Sequence, residues 1–113
     1  MQLEKPTAQL LGRFQTFHKG HEALARNAIE TVGQVVIMVR TLETSTSTTY
    51  NFDEIKGFID NAMKSEFEGR YMVMQVPNIT AVHYGRDVGY SIDKIELGAE
   101  LESISATQLR SVK

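Results

Sequence analysis

Two histidines, His18 and His21, lie three residues apart where a predicted strand gives way to a predicted helix. In the first turn of a helix, that spacing places both imidazoles on one face. Gly12 and Gly20 flank the connection, and Arg13 follows Gly12 directly. A helix start presents backbone N–H groups and the positive end of the helix dipole, and glycines let a ligand approach the backbone closely. The connection therefore predicts an anion site suited to nucleotide phosphates.

The same residues have simpler interpretations. A glycine after a strand is commonly only a turn, and two histidines at this spacing can be solvated or form half of a metal site. The chain has no Cys and only one further histidine, His83. A zinc site would then need carboxylates that no spacing singles out, so we predict no metal-ligating residues.

A second group of phosphate-suited side chains lies near the C-terminus. Ser105 or Ile104 is placed to cap a short helix, with Thr107 and Arg110 three residues apart on one side of it. Hydroxyls and a guanidinium fork both donate hydrogen bonds to phosphate oxygens. The alternative is an ordinary capped helix with a solvated Arg110.

The two groups together resemble a known superfamily. The sequence GRFQTFHKGH, residues 12–21, resembles the GRFQPxHxGH signature of nicotinamide mononucleotide adenylyltransferases, which belong to the nucleotidyltransferases marked by HxGH. The sequence ISATQLR, residues 104–110, resembles the ISxTxxR segment of the same superfamily, and the two occur in the expected order. Thr16 stands where the signature has Pro. The resemblance implies a Rossmann-like, doubly wound, mainly parallel α/β fold.

It also implies a reaction and a set of site residues. The expected reaction joins the nucleoside monophosphate part of ATP to a small phosphorylated acceptor, with nicotinamide mononucleotide favoured, and releases pyrophosphate. His18, His21 and Arg110 would be catalytic. The residues expected to bind the nucleotide are Gly12, Arg13, Phe14, Gly20, Ser105, Ala106 and Thr107. Weaker candidates for contacts with the acceptor or with phosphate are Lys19, Arg40, Arg86 and Asp87.

The expected cofactor is Mg²⁺, which offsets the charge of a bound triphosphate. No carboxylate near the motif is dedicated to holding it, so we expect the phosphates and water to carry the ion.

The donor nucleotide depends on one position. Cytidylyltransferases more often show an acidic residue where this chain has Gln15, which favours ATP over CTP. A cytidylyltransferase-like enzyme using CTP is the nearest alternative. A non-catalytic, nucleotide-binding regulatory module is a further one, although the intact His18, His21 and Arg110 argue against it. The short middle of the chain leaves the nicotinamide pocket unassigned.

Bulk properties limit the class of protein. With 113 residues and no Cys, we expect one domain over residues 1–113 and no thiol chemistry. A formal net charge of −2 argues against general binding to nucleic acid or membranes. No stretch approaches the roughly 18 apolar residues of a membrane span. We expect a soluble, cytoplasmic protein, and a homo-oligomer would cover the apolar edges that a small sheet leaves.

Alternating strands and helices are predicted along the chain. Strands are expected at 7–11, 35–39 and 71–76, and helices at 21–32 and up to Phe67, the second one capped by Asp53. Gly33 and Gly69 are the expected helix stops, and the hydroxyl-rich residues 41–49 a mobile loop. Residues 79–84 are either a short strand or irregular, and residues 92–97 alternate as in a half-exposed strand.

Overall fold

A computed structural model describes residues 1–42, 49–86, 89 and 91–92. Its elements follow in the order β1 (Ala8–Gly12), α1 (Lys19–Val32), β2 (Val35–Arg40), α2 (Phe52–Phe67) and β3 (Tyr71–Val76). This order of strands and helices confirms the predicted alternation. The predicted strand at 92–97, apart from its first residue, and the predicted C-terminal helix lie outside the described residues.

The three strands form one open sheet in the order β1-β2-β3, and both pairings are parallel. The register places Leu10 beside Ile37, and Ile37 beside Val73. Parallel neighbours need a crossover, and α1 makes it between β1 and β2, as α2 does between β2 and β3. The chain therefore has the Rossmann-like α/β fold that the sequence predicts.

One face of the sheet carries the core. Val35, Ile37 and Val39 alternate along β2 and are all buried. They pack with buried residues of both helices, namely Ala25, Ile29, Ile55, Ile59, Met63 and Phe67. Burying a large aliphatic side chain stabilises a fold by roughly 1.5–3 kcal/mol relative to leaving it exposed, so this layer fixes where α1 and α2 lie.

The two helices contact each other, which places them on the same face of the sheet. Arg26 of α1 pairs with Glu66 of α2, and its guanidinium lies 5.0 Å from the centroid of the Phe67 ring. On the opposite face, Met72 and Met74 are 38% and 41% exposed. In the described part of the chain, no helix packs on that second face.

The start of each helix differs in detail from the prediction. Helix α1 begins at Lys19, two residues before the predicted His21, because His18 caps it. Helix α2 is capped by Asn51, and the prediction of Asp53 as its cap is wrong. The Asn51 side chain accepts from the Glu54 N–H at 2.9 Å, and the Glu54 carboxylate accepts from the Asn51 N–H at 3.0 Å. This reciprocal capping box satisfies two backbone donors, which a cap at Asp53 would leave open.

The amino edge of the sheet is held by side chains. Gly33 ends α1 with φ at 119°, as predicted, and Arg70 donates to the Gly33 carbonyl from Nε at 2.9 Å. The buried Gln34 amide donates to the Gln2 carbonyl and to the Thr7 hydroxyl, each at 2.7 Å. These bonds close the end of the sheet opposite to the histidines.

The sequence also predicted the structure of residues that lie outside the helices and strands. Gly69 adopts a φ of 82° just after α2, which ends at Phe67. Residues 79–84, for which the sequence left two interpretations open, form no strand and are mostly exposed. Of the predicted mobile loop at 41–49, residues 43–48 lie outside the described residues.

Candidate functional site

The candidate site lies at the carboxyl edge of the sheet. Strand β1 ends at Gly12, strand β2 ends at Arg40, and α1 begins at Lys19. In open α/β sheets this edge is where ligands bind. The connection over residues 13–18 runs between β1 and α1, and its geometry determines what this edge can bind.

A pair of imidazoles builds the start of α1. His18 Nδ1 accepts hydrogen bonds from the backbone N–H groups of Gly20 at 3.0 Å and His21 at 3.4 Å. In return, His21 Nδ1 accepts from the His18 N–H at 3.2 Å. This is a capping box in which both side chains are histidines. Two backbone donors expected to face a phosphate are therefore already bonded to His18.

These bonds determine the form of the His18 ring. A nitrogen that accepts a hydrogen bond carries no proton, so the neutral His18 ring carries its proton on Nε2. That Nε2 atom is buried and has no hydrogen-bond partner within the part of the chain that the structure describes. An N–H without a partner at a helix start is suited to a phosphate oxygen, because the helix dipole favours the same anion.

His21 is held more tightly than His18. Its ring stacks on the His18 ring at a centroid distance of 3.7 Å, and the Phe14 ring meets it edge-on at 4.9 Å. Only 9% of His21 is exposed, and a hydrogen bond joins its side chain to the Thr16 backbone. The three-residue spacing thus brings the two rings together, as predicted.

Burial lowers the pKa of both histidines. Desolvation lowers the pKa of His21 to about 4, with a further lowering from the nearby His18 and an opposing effect from the bond to Thr16. Desolvation also lowers the pKa of His18. Both rings are therefore neutral near pH 7 and act as hydrogen-bond donors rather than as fixed charges.

Phe14 organises the connection from inside. It is only 2% exposed and adopts a φ of 53°, in the left-handed region that costs a residue with a side chain about 1 kcal/mol. A Cβ on Gly12 would lie 2.9 Å from the end of the Phe14 ring. The space beside Gly12 is therefore filled by Phe14, and a nucleotide could contact Phe14 only through its backbone.

Gln15 is hydrogen-bonded to a distant part of the chain, which no sequence pattern predicted. Its side-chain oxygen accepts from the backbone N–H groups of Thr49 and Tyr50, each at 2.9 Å. Its amide donates to the Tyr50 carbonyl at 3.0 Å. A polar side chain predicted to mark the donor nucleotide is thus buried against the residues that precede α2. Contacts of this kind join positions 34 or 35 apart, which no local pattern encodes.

The other predicted site residues are less closely assembled. Arg13 and Arg40 are half-buried, and the buried Nε of Arg40 has no hydrogen-bond partner among the described residues. Lys19 and Arg86 are exposed. The remaining predicted site residues lie outside the described residues: Asp87, Ser105, Ala106, Thr107 and Arg110. Gly20 is buried in the first turn of α1.

Comparison with known families bears on the same stretch of chain. Residues 10–56 match the family model described as cytidylyltransferase-like. The match runs from β1 through both histidines to the first turn of α2, which is less than half of the 113 residues. It supports a nucleotidyltransferase type of function for this chain. Comparison with curated proteins gave no match.

Two searches of the described residues were negative. In residues 1–42 and 49–86, no three His, Asp or Glu side chains are grouped so that they could hold a metal ion. No helix in the described ranges is long and apolar enough to cross a membrane.

We expect the lowered pKa of His21 to make the fold acid-sensitive. Between pH 6.5 and about 4 the unfolded chain binds a proton at His21 that the folded chain does not, so stability falls as the pH falls through this window. At 1.36 kcal/mol per pKa unit, the loss is on the order of 3 kcal/mol. Urea unfolding at several pH values gives the free energy of unfolding as a function of pH. Between pH 6.5 and about 4, this free energy should change less steeply with pH for His21→Gln than for the wild type. An equal pH dependence in the two proteins would contradict the lowered pKa of His21. NMR titration of the His21 ring measures that pKa directly.

Replacing Gly12 by alanine should destabilise the connection. The added Cβ would press against the packed Phe14 ring, and overpacking of this kind costs about 1–3 kcal/mol. Gly57→Ala is the matched control, because nothing lies within 4 Å of the added Cβ inside α2. There the better helix propensity of alanine should stabilise by roughly 0.5–1 kcal/mol. Urea unfolding measures the free energy of unfolding of both variants. An unchanged free energy in Gly12→Ala would mean that the Phe14 ring can move aside for the added Cβ.

Proposed function

We propose that this protein is a nucleotidyltransferase that joins a nucleoside monophosphate to a small phosphorylated acceptor and releases pyrophosphate. The observation that carries the proposal is the buried Nε2 of His18 at the start of α1, which has no hydrogen-bond partner among the described residues. The cytidylyltransferase-like match also supports the proposed reaction, because the matched residues 10–56 include His18.

The reaction needs positioning more than proton transfer. A phosphate oxygen of the acceptor attacks the α-phosphorus in line, and the new P–O bond forms as the bond to the bridging oxygen of the β-phosphate breaks. The acceptor phosphate is already ionised near neutral pH, so no strong base is required. What the enzyme must supply is preorganised donors for the negative charge that spreads over the phosphoryl oxygens.

His18 is suited to that role. Its Nδ1 is occupied by the helix cap, which fixes the ring and directs its only N–H to Nε2. We assign this N–H to an oxygen of the transferring phosphate. His21 holds His18 through the stack and through the His18 backbone. Binding an anion beside these neutral rings would raise their pKa values and so strengthen the donated bonds.

The contacts to the rest of the triphosphate are proposed from the sequence. By the resemblance of residues 104–110, Arg110, Ser105 and Thr107 would hold the β- and γ-phosphates. Arg13, at the carboxyl edge of the sheet, completes the contacts on the side of His18.

The described residues provide no cluster of ligands for a metal ion. We therefore propose that Mg²⁺ arrives with the triphosphate and is held by its phosphates and by water. Its contribution when bound is to offset the charge of the triphosphate.

For the donor we favour ATP, with nicotinamide mononucleotide as the acceptor, on the resemblance of GRFQ to the adenylyl-transferring branch. A second candidate is transfer from CTP. It is equally compatible with the family match, whose description is cytidylyltransferase-like.

Pyrophosphate release tests the function directly. The protein is incubated with ATP or CTP, Mg²⁺ and a panel of phosphorylated acceptors that includes nicotinamide mononucleotide, and free pyrophosphate is measured. We expect release with one donor and a subset of acceptors. Tight nucleotide binding without pyrophosphate release for any pair of donor and acceptor would contradict the proposed enzyme activity. It would indicate a nucleotide-binding regulatory module.

A pair of His18 variants separates chemistry from folding. Asparagine is a good helix cap, so His18→Asn should keep the start of α1 while it loses the imidazole, with its Nε2–H donor and its stack on His21. Losing one such donor typically lowers turnover about 10²–10³-fold. His18→Ala should lose a similar amount of turnover and also about 1 kcal/mol of stability from the missing cap. The turnover number and urea unfolding are measured together, and full activity in His18→Asn would show that Nε2 does not contact the reacting phosphate.

A further inference from the structure

The Gln15 side chain joins the phosphate-binding connection to the start of α2. It is 9% exposed, and its oxygen and its amide are both used. All three of its bonds go to the backbone of two consecutive residues, Thr49 and Tyr50. These two residues immediately precede Asn51, the cap of α2.

Both ends of this contact are fixed to the elements of the site. On one side, Gln15 follows the buried Phe14, whose ring packs edge-on against His21. On the other side, the Tyr50 ring meets Phe58 of α2 edge-on at a centroid distance of 5.0 Å. Three hydrogen bonds of Gln15 therefore join residues 14–18 directly to Thr49 and Tyr50.

We propose that Gln15 is a positioning residue that couples the candidate phosphate site at His18 to Thr49 and Tyr50, the two residues that precede the cap of α2. The inference rests on the proposed nucleotidyl transfer for its consequence in catalysis. Triphosphate bound at the start of α1 restrains residues 13–18 against local opening, and Gln15 passes that restraint to Thr49 and Tyr50. The coupling matters for a reaction with two substrates, because a small error in the placement of one reactant relative to the other costs much of the rate.

This assignment changes how Gln15 relates to donor choice. The side-chain oxygen and the side-chain amide of Gln15 are both hydrogen-bonded to the backbone of Thr49 and Tyr50. Gln15 therefore acts on the donor nucleotide through the position of these two residues. An acidic residue here would lack the amide donor to the Tyr50 carbonyl and would place negative charge beside that oxygen.

The test compares two buried glutamines. Gln15→Met keeps the length of the side chain and removes all three bonds. Gln34→Met is the matched control, because Gln34 is 7% exposed and also bonds a distant backbone, but at the amino edge of the sheet. Both variants lose buried hydrogen bonds, so a loss of stability alone should affect them alike.

The first readout is amide hydrogen exchange at Thr49 and Tyr50. We expect exchange there to be faster on the order of tenfold in Gln15→Met than in the wild type, and unchanged in Gln34→Met. Saturating ATP or CTP should slow these two amides in the wild type and in Gln34→Met, but not in Gln15→Met. Wild-type exchange rates in Gln15→Met, or no slowing by either nucleotide in the wild type, would overturn the proposal.

The second readout separates binding from turnover. The Kd for the donor nucleotide in Gln15→Met should stay within about threefold of the wild type, because His18 and the helix start are intact. The kcat should fall on the order of tenfold relative to Gln34→Met. Equal kcat values in the two variants would mean that Gln15 is only structural and would overturn the proposal. If the wild type releases no pyrophosphate with any substrate pair, the proposed function fails, whereas the coupling is decided by the exchange response to nucleotide.

Discussion

The site depends on a single acceptor nitrogen, Nδ1 of His18. By accepting the backbone N–H groups of Gly20 and His21, this nitrogen starts α1 and fixes the plane of its own ring. The same bonds determine which nitrogen carries the proton, and so they create the donor at Nε2. Secondary structure and chemistry are joined here in one side chain, since the atom that caps the helix also decides what the other end of the ring can do.

The surroundings of His18 keep that arrangement rigid and dry. Phe14, Phe17 and His21 form a buried aromatic group behind it, with Phe14 turned inward by its left-handed backbone. Such packing removes water from the imidazoles, and neutral donors are the result. A neutral N–H in a site with little water can stabilise developing charge without first holding a counter-ion, which suits the release of pyrophosphate in the proposed reaction.

The sequence predicted the parts of the site that local patterns encode. The three-residue spacing of His18 and His21 was enough to place their rings together, and the continuous apolar run at 35–39 was enough to predict a strand of a parallel sheet. The cap of α2 was wrongly placed at Asp53, because Asn51 and Glu54 satisfy each other in a way that a single residue type does not reveal. The inward turn of Phe14 and the bonds of Gln15 depend on residues distant in the chain or on an unusual backbone angle. Those are properties of the packed fold, so no spacing rule could have predicted them.

The side chains at the amino edge of the sheet have a consequence for how this protein can change. Gln34 and Arg70 tie the N-terminal residues and the end of α1 to that edge, while the histidines and Gln15 occupy the opposite one. The bonds that brace the amino edge are thus located at the opposite end of the three strands from the candidate site. Substitutions at the amino edge can therefore change thermal tolerance without touching the side chains of the candidate site, so stability and the proposed activity can evolve separately.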